Sequence, residues 1–264
     1  MWTGIISIFP NLIRTVLKDG VVGRAIARGD LGLTMFDPRD YAKDAHRTVD
    51  DRPFGGGPGM VMMAGPLSAS VSEARRLCPT ENPVTVYLSP QGTTFTQSLA
   101  KEFATLSSLV LVAGRYEGVD ERFIEREIDL ELSIGDFVLS GGELAAMVVL
   151  DAVARLLPGV VGNPDSIKSE SHMDGLLDFP HYTRPREFDG NGVPDVLLQG
   201  DHSAIEEWRQ KQALYRTWMK RPDMLLGKEL NEVERAMLVD VIDGLGKTLS
   251  PSVGEEGDGV DASE

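Results

Sequence analysis

Three short glycine-bearing segments hold the residues best suited to grip a small ligand: Ser89-Pro90-Gln91-Gly92, Gly114-Arg115-Tyr116-Glu117-Gly118 and Ile134-Gly135-Asp136-Phe137-Val138-Leu139-Ser140-Gly141-Gly142. Glycine lets backbone amides and carbonyls approach a ligand closely, and Tyr116 or Phe137 offers a flat face for a ring. Any one segment passes as an ordinary turn; the three together read as a pocket. Their charges, Glu117, Asp136 and Glu143 against Arg115, disfavour a triphosphate and suit a cation such as a sulfonium cofactor. Familiar alternatives fail. Gly246-Lys247-Thr248 lacks the earlier glycine of a phosphate loop, where Val241 stands, and Ser140 lacks the glycine of a nucleophile elbow, where Val138 stands. The cluster Gly55-Gly56-Gly57-Pro58-Gly59 has no dinucleotide spacing and reads as a mobile loop or lid. Its neighbour Asp50-Asp51-Arg52 is either a solvated turn or a grip on a polymeric substrate.

These segments need a scaffold. Ile5 to Phe9, Val84 to Leu88 and Leu109 to Ala113 are apolar runs that predict strands, while Leu67 to Leu77 and Thr96 to Leu106 carry helical spacing. The alternation predicts an α/β domain over residues 1–160 with a mostly parallel sheet, in which ligands bind beyond the carboxyl ends of the strands. Gly141 to Leu157 predicts a helix apolar on nearly every side, either central to the domain or shared with a second subunit. Residues 161–175, rich in serine with Asn163-Pro164, read as a flexible linker. Residues 176–246 predict a small all-helical domain. Its helix from Ser203 to Met219 sets Ile205, Trp208, Gln212, Tyr215 and Met219 on one face and Arg209, Arg216 and Lys220 beside it, and a second helix follows at about Glu229 to Leu245. Residues 247–264 read as an acidic, disordered tail.

Composition narrows the class. With 42% hydrophobic and 25% charged residues the 264-residue chain resembles a soluble globular protein. Without an apolar run of ~18 residues, or a basic start and cleavage site, it is expected to be cytoplasmic, with no membrane partner. One cysteine and four scattered histidines exclude an internal disulfide and argue against structural zinc. A net charge of −15 argues against a general nucleic-acid binder, but five acids lie in the last fourteen residues. Between Ala204 and Pro222 five bases face two acids.

The segments Asp50 to Met60, Tyr87 to Gly92, Gly114 to Gly118, Ser133 to Leu139 and Asp178-Phe179-Pro180-His181-Tyr182-Thr183-Arg184-Pro185, in this order, resemble the TrmD-type bacterial tRNA (guanine-N1)-methyltransferases of the knotted SPOUT superfamily. The resemblance runs from about Trp2 to Leu226. It implies a homodimer with active sites at the subunit interface, a sheet tied in a deep trefoil knot, and S-adenosyl-L-methionine held bent by the three turns. The reaction implied is methylation of N1 of the guanosine immediately 3′ of the anticodon in tRNA, which helps maintain the reading frame. The cofactor contacts implied are Leu88, Ser89, Pro90, Gln91, Gly114, Tyr116, Glu117, Gly118, Ser133, Ile134, Gly135, Asp136, Phe137, Val138, Leu139, Gly141 and Gly142. Ala145, where many relatives have proline, and Phe137, often tyrosine, depart from the pattern without removing a charge.

Guanine N1 carries a proton, so attack on a methyl group needs a base, and negative charge gathers on O6, so a cation is wanted. The family's base is a carboxylate in the linker, commonly aspartate before Ser-Phe; here that place holds Glu170-Ser171-His172. Glu170 is the expected base, with Asp174 and Asp178 as alternatives. His172 is either a bystander or an extra proton carrier. Arg155 matches the family's O6-stabilising arginine, although it also stands i, i+4 from Asp151 near a helix C-terminus. The resemblance adds Mg²⁺ as an optional cofactor, with Glu117 as contributor. Expected tRNA contacts are Arg52, Gly57, His181, Tyr182, Arg184, Arg209 and Arg216, with Lys220 on the same basic face. Two competing readings remain: a related methyltransferase acting on another RNA, and a non-catalytic RNA-binding protein on the same fold.

Overall fold

The computed structural model describes residues 1–162 and 170–249. The chain divides into two compact units, Met1–Ile167 and Lys168–Glu264. Residues 163–169 of the predicted linker and 250–264 of the predicted tail lie outside the described residues.

The first unit is built on five strands: β1 (Trp2–Ile6), β2 (Gly32–Phe36), β5 (Val84–Thr94), β6 (Ser108–Ala113) and β7 (Leu130–Ser133), in the order β2-β1-β6-β5-β7 with every pairing parallel. A two-stranded antiparallel pair, β3 (Asp50–Asp51) and β4 (Val61–Met62), stands apart. Side chains alternate across the sheet, so successive apolar residues feed two cores. Ile5, Val86, Leu88, Leu109, Leu111 and Leu132 enter the core that buries α1 (Pro10–Val16), α2 (Gly20–Arg28), α4 (Gln97–Thr105) and α6 (Glu143–Ala154). Ile6, Tyr87, Val110 and Val112 enter the opposite one, under α3 (Ala64–Leu77) and α5 (Glu121–Glu127). Arg75 of α3 reaches the buried Glu127 of α5 at 2.6 Å.

The strand predicted at Ile5 to Phe9 ends instead at Ile6, because Ser7 Oγ accepts the Phe9 amide in a turn and Pro10 starts α1. β5 runs six residues beyond its predicted end. It pairs with β7 on both sides of a register shift between Leu88 and Thr93, and residues 89–92 bulge out of the ladder. After β6 the chain crosses to β7 on the far side of β5, then returns: the Gly142 amide donates to Gly114 O at 2.9 Å, and Arg115 bridges Gly141. α6 is shorter than its predicted span, and its apolar surface is buried on one side only. Ala146, Val149, Leu150, Val153 and Ala154 are fully buried, whereas Leu144 and Val148 are 48% and 47% exposed.

The second unit holds α7 (His202–Lys220), α8 (Pro222–Leu226) and α9 (Glu232–Leu249). It is not all-helical, since β8 (Glu187–Phe188) and β9 (Asn191–Gly192) form an antiparallel hairpin. Asp189 and Gly190 turn it with φ of 49° and 77°, the left-handed pair that Asp-Gly supplies readily. Asp201 caps α7 by accepting the Ser203 and Ala204 amides, and Asn231 and Glu234 bond reciprocally at the start of α9. The inward face of α7 centres on Leu214 and Thr217, both fully buried, and not on the predicted stripe, whose Met219 is 55% exposed. Thr217 explains the offset: its hydroxyl accepts the Leu177 amide at 2.8 Å and donates to Ala213 O, so a polar residue occupies the packed face. Among the described residues no helix is long and apolar enough to cross a membrane.

Candidate cofactor cavity and substrate surface

At the carboxyl ends of β5, β6 and β7 lies a cavity of about 420 Å³, within the range of small-ligand sites. The three glycine-bearing turns predicted from sequence converge on it. Residues 88–91, then 114–118, then 133–135, 137–139, Gly141 and Gly142 all line it. Asp136 does not, and so departs from its expected place. Sequence reasoning missed Tyr87, Val119, Glu121, Ile124, Leu132 and Ala145 as lining residues. The alternation of β5 signals Tyr87, which faces the core opposite to that of Leu88.

The charge balance differs from the expected one. Glu143 is 1% exposed and accepts from Ser7 Oγ at 2.7 Å and from Arg115 Nε at 2.9 Å, so these two charges neutralise each other inside the wall. The carboxylates facing the cavity are Glu117 and the missed Glu121. Among the described residues neither is held in an ion pair. The local field therefore favours a cation. Burial, assisted by the charges of Glu131 and Glu121, pushes the Tyr87 phenol up to about 12, so it lines the cavity as a neutral hydroxyl.

The glycine-rich segment is tied to this wall. Glu117 N donates to Met60 O at 3.0 Å, Met62 N to Gly118 O at 2.9 Å, and Asp120 N to Met62 O at 2.9 Å. Burial raises the pKa of Tyr116, and Asp50 raises it further through its charge and a hydrogen bond to the phenol. Gly59, at φ 82°, leaves room for Glu117: a Cβ there would lie 2.4 Å from its Oε1. The loop beyond carries Arg52, fully exposed Phe54 and Gly57 on its outer side. The predicted lid is thus pinned at both roots.

Arg155 ends α6 as its C-cap, its amide donating to Asp151 O at 3.2 Å. The candidate bases lie in the second unit. Glu170 is half-buried and its carbonyl accepts the Met173 amide at 3.1 Å. Asp174 pairs with Lys228 at 3.2 Å. Asp178 accepts the Phe179 amide at 2.8 Å and meets His181 Nε2 at 2.9 Å. Both aspartates are thus engaged. His172 is exposed at φ 68°, its amide donating to Leu176 O.

Several predicted substrate residues of this unit meet in aromatic and basic contacts. Phe179 is flanked by the His181 ring at 4.7 Å and the Arg209 guanidinium at 4.9 Å, and Tyr182 faces Trp208 at 6.3 Å. Arg209 also meets Glu206 at 3.6 Å. His181, Tyr182 and Arg184 are exposed, and Arg216 lies half-buried two turns along α7 from Arg209. Such rings and cations suit stacked bases and phosphates.

Comparison with known proteins bears on what these two sites serve. Residues 1–227 match the family model described as tRNA (Guanine-1)-methyltransferase TrmD. A tRNA (guanine-N(1)-)-methyltransferase of Chromohalobacter salexigens is 52% identical over 247 residues, which cover 92% of each chain. One of Pseudomonas aeruginosa is 52% identical over 242 residues, 92% of this chain and 96% of the other. One of Tolumonas auensis is 52% identical over 245 residues, 93% and 98% of the two chains. Matches of this extent take in both units, and the chain belongs to the TrmD family of tRNA (guanine-1)-methyltransferases.

Proposed function

We propose that the protein methylates N1 of the guanosine immediately 3′ of the anticodon in tRNA, using S-adenosyl-L-methionine. The observation that carries this reading is the cavity at the strand ends, walled by three turns and faced by Glu117 and Glu121. Its size and negative field fit a sulfonium nucleoside. When bound, that cofactor supplies an electrophilic methyl group on positively charged sulfur. Glu170 takes the proton from guanine N1 as the N1–methyl bond forms and the methyl–sulfur bond breaks, its electron pair staying on sulfur. Arg155 holds the charge that develops on O6. The target base leaves its stack to react. Asp174, which pairs with Lys228, and Asp178, which meets His181, are the alternatives for the base.

Magnesium has less support. Glu117 offers one carboxylate, and among the described residues no three His, Cys, Asp or Glu side chains gather into a metal-binding group. The described residues therefore do not by themselves gather a Mg²⁺ site.

An apolar surface supports a homodimer. Leu12 and Val16 of α1 and Leu144 and Val148 of α6 stand in i, i+4 pairs on helices packed against each other, and all four are 42–54% exposed. A second copy of the chain is the occupant we assign to this apolar face, so that the active site is completed at the subunit interface. The return of the chain from β7 across β5 to the Gly114 turn supports a knotted path for the first unit. The patch around Phe179, His181, Tyr182, Arg184, Arg209 and Arg216 receives the tRNA, with Arg52 and Gly57 of the glycine-rich loop as further contacts.

The test is transfer of labelled methyl from S-adenosylmethionine to a tRNA transcript carrying guanosine at the target position and 5′ of it, with the product mapped by mass spectrometry. N1-methylguanosine at the target is the expected result. Cofactor binding without transfer to tRNA would assign the enzyme to another RNA, and no cofactor binding would leave an RNA-binding protein.

A further inference from the structure

Arg115 belongs to one of the cavity's turns but spends its side chain on another. Its Nε donates to Glu143 Oε2 at 2.9 Å and its Nη1 to the carbonyl of Ser140 at 3.1 Å. Its guanidinium carbon lies 4.5 Å from the centre of the Phe9 ring. Glu143, at the start of α6, holds Ser7 at the end of β1 through its other oxygen. The pair therefore ties together the end of β1, the turn after β6 and the turn before α6. Gly141 is fitted to this arrangement: a Cβ there would lie 2.2 Å from Arg115 Nε and 2.6 Å from Glu143 Oε2. A carboxylate at 1% exposure, paired and hydrogen-bonded on both oxygens, is a fixed part of the wall and not a movable ligand contact.

We infer that Arg115 and Glu143 are positioning residues: their ion pair sets the spacing of the 114–118 and 140–142 backbones, and through it the affinity for the cofactor, without either charge acting on the ligand. The inference rests on the reading of the cavity as the S-adenosylmethionine site. It differs from an electrostatic role in one measurable respect. A clamp on the backbone affects every ligand that fills the cavity, whereas a charge contact affects only a ligand carrying the matching group.

The experiment compares wild type with Arg115→Lys and Glu143→Gln, two near-isosteric changes that lose the guanidinium fork or the charge. Calorimetry measures binding of S-adenosylmethionine and of 5′-methylthioadenosine, which lacks both the sulfonium charge and the amino-acid group. Steady-state kinetics with tRNA gives KM and kcat. We expect both variants to weaken both ligands by the same factor, about tenfold or more, and to raise KM for S-adenosylmethionine while kcat at saturation stays within about threefold. Simple loss of folded enzyme would lower kcat at unchanged KM and would overturn the inference. So would a loss confined to S-adenosylmethionine, or wild-type affinity in both variants. Failure of the wild type to bind either ligand would instead remove the cofactor reading on which the inference stands.

Discussion

In the Met1–Ile167 unit the candidate site is a cavity walled by turns next to packed strands, whereas in the Lys168–Glu264 unit it is displayed by side chains on the surface. Nearly all of the buried core belongs to the first unit; the second contributes only Leu214, Thr217 and Glu234 among the described residues. Two layers of helices on a five-stranded sheet fix the strand ends to within the tolerance of a packed core, so the turns there become a rigid mould. The second unit has too little core for such a mould. It orders its surface by pairwise contacts instead: a ring between a histidine and an arginine, an aspartate on that histidine, a lysine between two acids. The difference teaches where each unit is vulnerable. The mould fails when a backbone is moved, the surface when a single group is removed.

The sharpest break with this division is expected at Glu170, a side chain of the second unit that we assign to the chemistry. Glu170→Gln should lower the single-turnover rate by about 10² to 10⁴-fold, the usual contribution of a positioned base, with S-adenosylmethionine affinity unchanged in calorimetry. Activity equal to wild type would remove Glu170 from that role and turn attention to Asp174 and Asp178.

A smaller effect should separate the two units by the same kind of substitution. A Cβ on Gly142 would lie 2.8 Å from the Cα of Ala113, a backbone atom, while one on Gly192 in the second-unit hairpin meets nothing within 4 Å. Gly142→Ala must shift the turns after β6 and β7 and should weaken S-adenosylmethionine by about tenfold or more. Gly192→Ala should leave cofactor binding, tRNA binding and melting temperature within error. Equal effects at the two glycines would contradict the contrast between mould and surface.

The same division explains what could be read in the sequence. Two of the turns were legible because apolar runs followed by glycines mark strand ends, and strand ends gather ligands in α/β folds; the third was legible from its own glycines. β2 and β7 were not, since Gly32-Leu33-Thr34 and Leu130-Glu131-Leu132-Ser133 lack a long apolar run and gain their order from neighbouring strands. The hairpin at Asp189-Gly190 carried a readable turn signal, but its strands have two residues each and no alternation to detect. The pairing of Glu143 with Arg115 was hidden for another reason. The two are 28 residues apart, and only the return of the chain from β7 brings them together. Charge counting along the sequence therefore assigned to the ligand a carboxylate that serves the wall, and overlooked Glu121, which faces the cavity.

On the substrate surface, Arg209→Ala should raise the KM for tRNA by several-fold and leave the cofactor untouched. If Arg209 contacts a phosphate, the slope of log affinity against log salt should fall by ~0.7 to 0.9. Phe179→Leu, which removes the ring under the guanidinium but no charge, should keep the slope while also raising KM. An unchanged slope in Arg209→Ala would mean that this cation orders the patch and does not meet the RNA backbone.

The smallest effect at neutral pH is expected at Tyr87, where the mould can be probed without disturbing it. Burial raises the phenol to about 12, with Glu131 and Glu121 adding to the shift, so at pH 7 the group is neutral folded and unfolded alike. A folded pKa above the unfolded one near ~10 stabilises the fold at lower pH. That contribution disappears as pH rises from ~10 to about 12, because the unfolded chain then releases a proton that the folded chain keeps. The stability of wild type relative to Tyr87→Phe should thus be constant up to pH ~9 and decline by about 2 kcal/mol across the alkaline window in urea unfolding. Difference absorbance between the two proteins should place the tyrosinate step near the upper end of that window. A step near ~10 would mean that water reaches the phenol through the cavity wall, and that the turns around it are looser than a mould requires.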